Sequence, residues 1–185
     1  MSESYTAVGM VEFNSIAAGI DAADQMVKTA QVDPLFFKTI CPGKFVAAVT
    51  GDVAAVSASV NAGRATHADA LVDWFIIPNI HRDVIGALAG ATGITERGAL
   101  GIIETFSAAS IVVASDAAVK AADVQLLDVR VALGLGGKGY ALMTGDVAAV
   151  NAAVEAGSTA AAESGLLVSK VVIPSPAETV FEQIA

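Results

Sequence analysis

Charge is scarce in this chain. Only 16% of its 185 residues are Asp, Glu, Lys or Arg, aromatic residues make up 5%, and there is one cysteine, Cys41. Each shortage excludes something. A single cysteine rules out an internal disulfide and fits a reducing, cytoplasmic compartment. Ten basic residues stand scattered singly against nineteen acidic ones, for a net charge of −9 and a pI near 4.5. Nucleic-acid binding needs a basic stripe to neutralise phosphates, and there is none. Attraction to an anionic membrane surface is disfavoured for the same reason. Long apolar runs are missing too. Each is cut by Asp, Glu, Lys, Asn or Gly well before the roughly 18 residues a spanning helix requires. Met1-Ser2-Glu3-Ser4-Tyr5 has neither a basic region nor an apolar run, so no signal peptide is expected there.

What is abundant is small and apolar. Hydrophobic residues reach 55%, mean hydropathy is +0.66, and 38 residues are alanine. Disordered chains have the opposite composition. The length suits one large domain or two small ones and can bury a sizeable core. The chain has much small-residue apolar surface to hide, and assembly with other chains is one outlet for it.

The sequence is written twice. Val8-Gly9-Met10-Val11-Glu12 returns as Leu100-Gly101-Ile102-Ile103-Glu104, and Ala22, Asp24, Val27, Lys28 and Ala30 return as Ala114, Asp116, Val119, Lys120 and Ala122, both at an offset of 92. Thr50-Gly51-Asp52-Val53-Ala54-Ala55-Val56 returns letter for letter as Thr144–Val150, offset by 94, and Ile77-Pro78 as Ile173-Pro174, offset by 96. Two homologous domains are therefore expected, 1–92 and 99–185, joined by a Gly/Thr-rich linker at 93–98. Charge is shared evenly between them.

Each unit reads alike. A strand (Val8–Phe13; Leu100–Thr105) precedes Ser15 or Ser107, either able to cap a helix. Ile16, Ile20, Ala23 and Val27 then mark one helix face, as do Ala108, Val112, Ser115 and Val119. Two strands follow, Leu35–Ile40 and Phe45–Thr50 (Leu127–Leu133 and Tyr140–Thr144). Asp52 and Asp146 are expected to cap a second helix with Val53, Val56 and Val60 (Val147, Val150, Val154) inside. A last strand, Leu71–Ile77 or Leu167–Ile173, ends at proline, and a short helix closes the unit. The order β-α-β-β-α-β-α predicts an α+β fold, an α/β sandwich with helices on a small, mainly antiparallel sheet.

Sites for common chemistries fail one by one. Gly134-x-Gly136-x-x-Gly139 matches the dinucleotide fingerprint, but that fingerprint must open a helix. Here Tyr140–Met143 align with the extended Phe45–Ala48. A Walker loop fails because residue 132 is Ala and Lys138 is followed by Gly. His67 and His81 are isolated, with no zinc-binding spacing; His81 most simply starts the closing helix. Glu12 and Glu104 recur through duplication and read as structural carboxylates bonded to nearby backbone. No Ser-His-Asp set can be assembled, and nothing argues for an enzyme.

The pattern Glu12-x-x-Ser15-x-x-x-Gly19-x-x-Ala22-Ala23-Asp24-x-x-x-Lys28-x-Ala30, echoed over Glu104–Ala122, resembles the signature of bacterial microcompartment (BMC) shell domains. The Gly-Lys loops, the Gly-Asp-Val before the second helix and the two Ile-Pro pairs fit as well. The resemblance spans essentially the whole chain and points to the tandem-domain class. It implies a homotrimer that mimics a hexamer and tiles with other BMC shell proteins into a layer around encapsulated enzymes, with no nucleic acid or membrane as partner.

Thr39–Phe45 and Gly134–Lys138 look similar to the type found in propanediol-utilisation shells. There the resemblance implies a central pore lined by Ile40, Pro42, Gly43, Lys44, Gly134, Leu135, Gly136, Gly137 and Lys138, with Cys41 binding a [4Fe–4S] cluster. One cysteine cannot hold such a cluster, which usually takes four thiolates. Three copies on a threefold axis supply three. Lys44 and Lys138, if they flank that axis, would offset the cluster's charge. The alternatives are a metal-free pore, open or gated, for a small metabolite or electron carrier, and a soluble redox subunit carrying a cluster. A lone cysteine is most often a small buried hydrophobe.

Lys28 and Lys120 match the family's lysine at the edge between neighbouring tiles; at a helix end they also suit the helix dipole. Asn79-Ile80-His81 and Ser175-Pro176-Ala177 stand where the family often has Arg-Pro-His. The edge contacts implied at Lys28, Lys120, Asn79 and His81 are thus altered or weakened.

Overall fold

The computed structural model describes residues 7–93, 97–131 and 134–184. They form β1 (Ala7–Phe13), α1 (Ile16–Thr29), β2 (Asp33–Ile40), β3 (Lys44–Gly51), α2 (Val53–Thr66), β4 (Leu71–Ile77) and α3 (Arg82–Leu88). The order then repeats as β5 (Ala99–Thr105), α4 (Ala108–Ala121), β6 (Gln125–Val131), β7 (Gly139–Gly145), α5 (Val147–Glu163), β8 (Leu167–Ile173) and α6 (Glu178–Ile184). This is the expected α+β repeat. Residues 132 and 133, placed in a strand by the sequence, lie outside the described residues, as does part of the expected linker.

Two compact units result. The first holds the described residues up to Ile80 together with Ser107–Ala109 and Gly134–Gly137; the second holds those of His81–Phe106, Ser110–Val131 and Lys138–Ala185. In the first, four strands pair antiparallel in the order β2-β3-β1-β4, with Val11 facing Ala47 on one side and Trp74 on the other. Strand residues alternate between faces, so Ala7, Val11 and Phe13 share the face that packs with Ala18, Ala22 and Met26 of α1 and Val56 and Val60 of α2. Gly9 lies on that face. A Cβ there would fall 2.4 Å from a Val60 methyl, so only glycine permits this helix-to-sheet distance.

Helix starts follow the sequence closely. Ser15 Oγ accepts the Ala18 N–H (3.3 Å), Asp52 Oδ1 the Ala55 N–H (2.9 Å) and His81 Nδ1 the Asp83 N–H (3.3 Å). Asp146 occupies the matching place before α5 but makes no side-chain cap.

The apolar face expected on α1 meets the core only in part. Ala23 is buried, but Ile16, Ile20 and Val27 are exposed, and the helix turns Ala18, Gly19, Ala22, Ala23 and Met26 inward. Periodicity finds an apolar stripe but does not say which stripe meets the chain's own core, and small residues allow the closer approach. Val53 and Val147, in the first turns of α2 and α5, are exposed as well, while Val56, Val60, Val150 and Val154 are buried.

The second unit pairs its strands in the order β6-β7-β5-β8, again antiparallel. Phe181 of α6 packs with Leu100, Leu127 and Leu142. Helix α3, which closes the first repeat in sequence, packs in this second unit against β6.

Candidate functional site

The β2–β3 loop is short because the strands it joins are in tight register, Thr39 facing Phe45 and Ile40 facing Lys44. Its turn closes with the Gly43 N–H donating to the Ile40 carbonyl (3.1 Å), and Gly43 sits at φ +84, a conformation that favours glycine. Ile40 is buried, Cys41 is half-buried, and Pro42 and Gly43 are exposed at the tip. The β6–β7 loop carries Gly134, Gly136 and Gly137 at φ +76, +61 and +89. A Cβ on Gly137 would lie 3.0 Å from Pro42 Cδ and 3.7 Å from Lys44 Nζ, so the first unit brings this glycine against the cysteine loop.

The lysines of both loops are engaged by carboxylates. Lys44 Nζ donates to Glu12 Oε1 at 2.7 Å, where the Glu12 side chain is fully buried. Lys138 Nζ donates to Glu104 Oε1 at 2.9 Å, and both side chains there are about one-third exposed. Glu12 Oε2 also accepts the Ala108 and Ala109 amides (2.8 and 3.2 Å) and lies 3.0 Å from the Ser107 hydroxyl, whose single proton it shares with the still closer Asp73 Oδ2. The carboxylate therefore caps backbone, but not the nearby backbone expected: its partners lie 95 to 97 residues away, while Glu104 meets the Lys138 side chain instead of backbone. Proximity in sequence gave no sign of these partners.

Gly139 opens strand β7 rather than a helix, so the glycine fingerprint has no helix N-terminus to offer a phosphate. Among the described residues, no group of three or more His, Cys, Asp or Glu is placed to hold a metal ion.

Of the residues expected at tile edges, Lys28 pairs with Asp24 one turn earlier on an exposed face. Lys120 pairs likewise with Asp116 (2.6 Å), whose other oxygen accepts the His81 N–H (2.8 Å). Lys120 and His81 are thus joined through one carboxylate, a link absent from the sequence reading. Asn79 lies exposed on the turn before α3.

The sequence reading also missed an open cleft of about 600 Å3 in the second unit, lined by Ile102, Glu104, Arg130, Tyr140, Lys170 and Val171 among others. Tyr140 holds its proton above the ordinary phenol range, first through burial and then through the charge of Asp128, which its hydroxyl meets at 3.2 Å.

Comparison with known proteins identifies the repeated fold. The BMC domain matches twice, over residues 7–80 and 99–176. The bacterial microcompartment shell protein PduT of Citrobacter freundii is 46% identical over 178 residues, covering 96% of this chain and 97% of that protein. The shell protein EutM of Salmonella typhimurium is 51% identical over 78 residues, 42% of this chain and 79% of its own length. A solved structure described as a microcompartments protein from Desulfitobacterium hafniense superposes with a TM-score of 0.83 at 51% identity, covering 95% of this chain and 98% of that one.

Proposed function

Because this chain belongs to the BMC domain family and carries the domain twice, we propose that it works as one tile of a microcompartment shell, with three copies closing a six-domain ring around a threefold pore. It is a structural shell protein of the PduT-like kind. The observation that carries the reading is the full-length likeness to a shell protein, across both repeats and with little of either chain left over. The tile would meet other BMC shell proteins at its edges and shelter enzymes or meet an electron carrier at its pore.

We further propose that Cys41 of three copies holds a [4Fe–4S] cluster at that pore. A single chain offers one thiolate, so the donor set is complete only with copies related by a threefold, and one iron then needs a ligand other than cysteine. The position of Cys41, half-buried beside an exposed loop tip, suits a shared ligand better than a core residue. When bound, such a cluster supplies one-electron transfer. Cys41 would hold it, while Gly137 leaves the adjoining loop without bulk. The metal-free pore is favoured by a different observation. Both loop lysines are engaged by carboxylates, which weakens the role expected for them as counter-charges to a cluster.

Sedimentation analysis and anaerobic purification test both levels. A mass of three copies, with iron and acid-labile sulfide at about four each per trimer and an EPR signal lost in Cys41→Ser, is the expected result. Colourless, iron-free trimers unchanged by Cys41→Ser would leave the metal-free pore. A stable monomer would overturn the ring itself.

A further inference from the structure

Glu12 and Glu104 hold equivalent places in β1 and β5, and each binds an equivalent lysine through Oε1. Their second oxygens differ. Glu12 Oε2 receives the Ala108 and Ala109 amides and shares the Ser107 hydroxyl with Asp73 Oδ2, and the whole Glu12 carboxylate is buried. Among the described residues, the hydrogen-bonding partner of Glu104 is Lys138, and the Glu104 side chain remains 32% exposed. The helices show the reverse asymmetry. At the offset of 92, Ser15, Ile16, Ala17 and Ile20 correspond to Ser107, Ala108, Ala109 and Val112. Ala108 and Val112 are 0% and 1% exposed, whereas Ile16 and Ile20 are 39% and 55% exposed. One copy therefore uses one carboxylate and one helix start, and leaves the matching carboxylate and helix start open.

The geometry points to a lock between copies: Glu104 of one copy accepts the Ser15 hydroxyl and the Ile16 and Ala17 amides of α1 in the next. The chain's own Glu12 arrangement is the template. The partner is a second copy of this chain, because the two open halves complement each other and neither complements itself. A negative carboxylate meets the positive end of a helix, and the apolar side chains of Ile16 and Ile20 meet the cleft beside Glu104, which Ile102 and Val171 line. Such a head-to-tail contact propagates from copy to copy and ends only when a ring closes. Closure at three rests on the shell-tile reading above; the residues of the lock do not follow from that reading.

Sedimentation across a dilution series, with amide hydrogen exchange on the same full-length samples, tests the lock. Glu104→Ala should raise the concentration at which trimers fall apart at least about tenfold, equivalent to about 1.4 kcal/mol. In trimers kept together at high concentration, the Ile16 and Ala17 amides should exchange at least about tenfold faster, while Ala108 and Ala109 keep their protection. Glu163→Gln, an exposed change at the end of α5, serves as the control that leaves both unchanged. Glu104→Ala trimers with unchanged dissociation and unchanged protection at Ile16 and Ala17 would overturn the lock while leaving the ring intact. A wild-type monomer would overturn the ring and the lock together.

Discussion

Glycine sets the spacing between layers at several close crossings of helix on sheet and helix on helix. At Gly157 in α5, a Cβ would lie 2.6 Å from the Ala114 carbonyl oxygen and 2.6 Å from an Ile103 methyl. The carbonyl is backbone and cannot rotate away. Gly157→Ala gains about 1 kcal/mol of helix propensity but costs about 1–3 kcal/mol through overpacking; with backbone the obstacle the cost sits at the upper end, and the net is a loss of up to about 2 kcal/mol. Gly86 in α3 gives the contrast, with nothing within 4 Å of a Cβ. Gly86→Ala should stabilise by about 0.5–1 kcal/mol. Thermal unfolding of both should separate them in opposite directions, by roughly 2–4 °C per kcal/mol for a chain of this size. A stabilised Gly157→Ala would show that α4 and α5 yield easily. The sequence made the helices legible but not this contact: an isolated glycine in a helical pattern says that something is close, not what.

Among the elements, α3 departs most from what the sequence suggests. Its residues end the first repeat, yet it packs on β6 in the second unit. Its start is tied down by Asp116, which accepts the His81 N–H and pairs with Lys120. Hydrogen bonds to a charged group contribute about 1.5–3 kcal/mol. Asp116→Ala should therefore speed amide exchange across Arg82–Leu88 by about 10- to 100-fold, with β7 unaffected; unchanged exchange would mean that packing alone holds α3. Other differences between the repeats were legible beforehand. The offset grows from 92 to 94 between α1 and α2, and the structure places that growth in the loop: residues 40–44 lie between Thr39 and Phe45, but residues 132–138 between Val131 and Gly139. It grows again before β8, where α5 has 17 residues against 14 in α2. Insertions shift a repeat's register and so show in one dimension. The α1 face, the placement of α3 and the partners of Glu12 are contacts between distant residues, and no local spacing encodes them.

For the assembled molecule, charge sets the conditions. Each copy carries −9, so in the proposed layer tiles of like sign repel until salt screens them. Raising salt from about 0.05 to about 0.5 M shortens the screening length severalfold. The protein concentration needed for sheet formation, followed by light scattering, should fall accordingly. A rise instead would mean that edge ion pairs, with Lys28 and Lys120 the first suspects, outweigh the general repulsion. The apolar, alanine-rich composition fits the same picture: part lines the two helix–sheet cores, and part, as at Ile16 and Ile20, stays exposed on the single chain. The two loops, one with a cysteine and one nearly all glycine, carry a last consequence. In a ring of identical single domains, any loop mutation appears six times around the pore. In the proposed ring of three duplicated chains it appears three times, and the other three loop positions stay unchanged. Fusion thus halves the dose of every innovation at the pore, so a residue too disruptive in six copies can be tried in three.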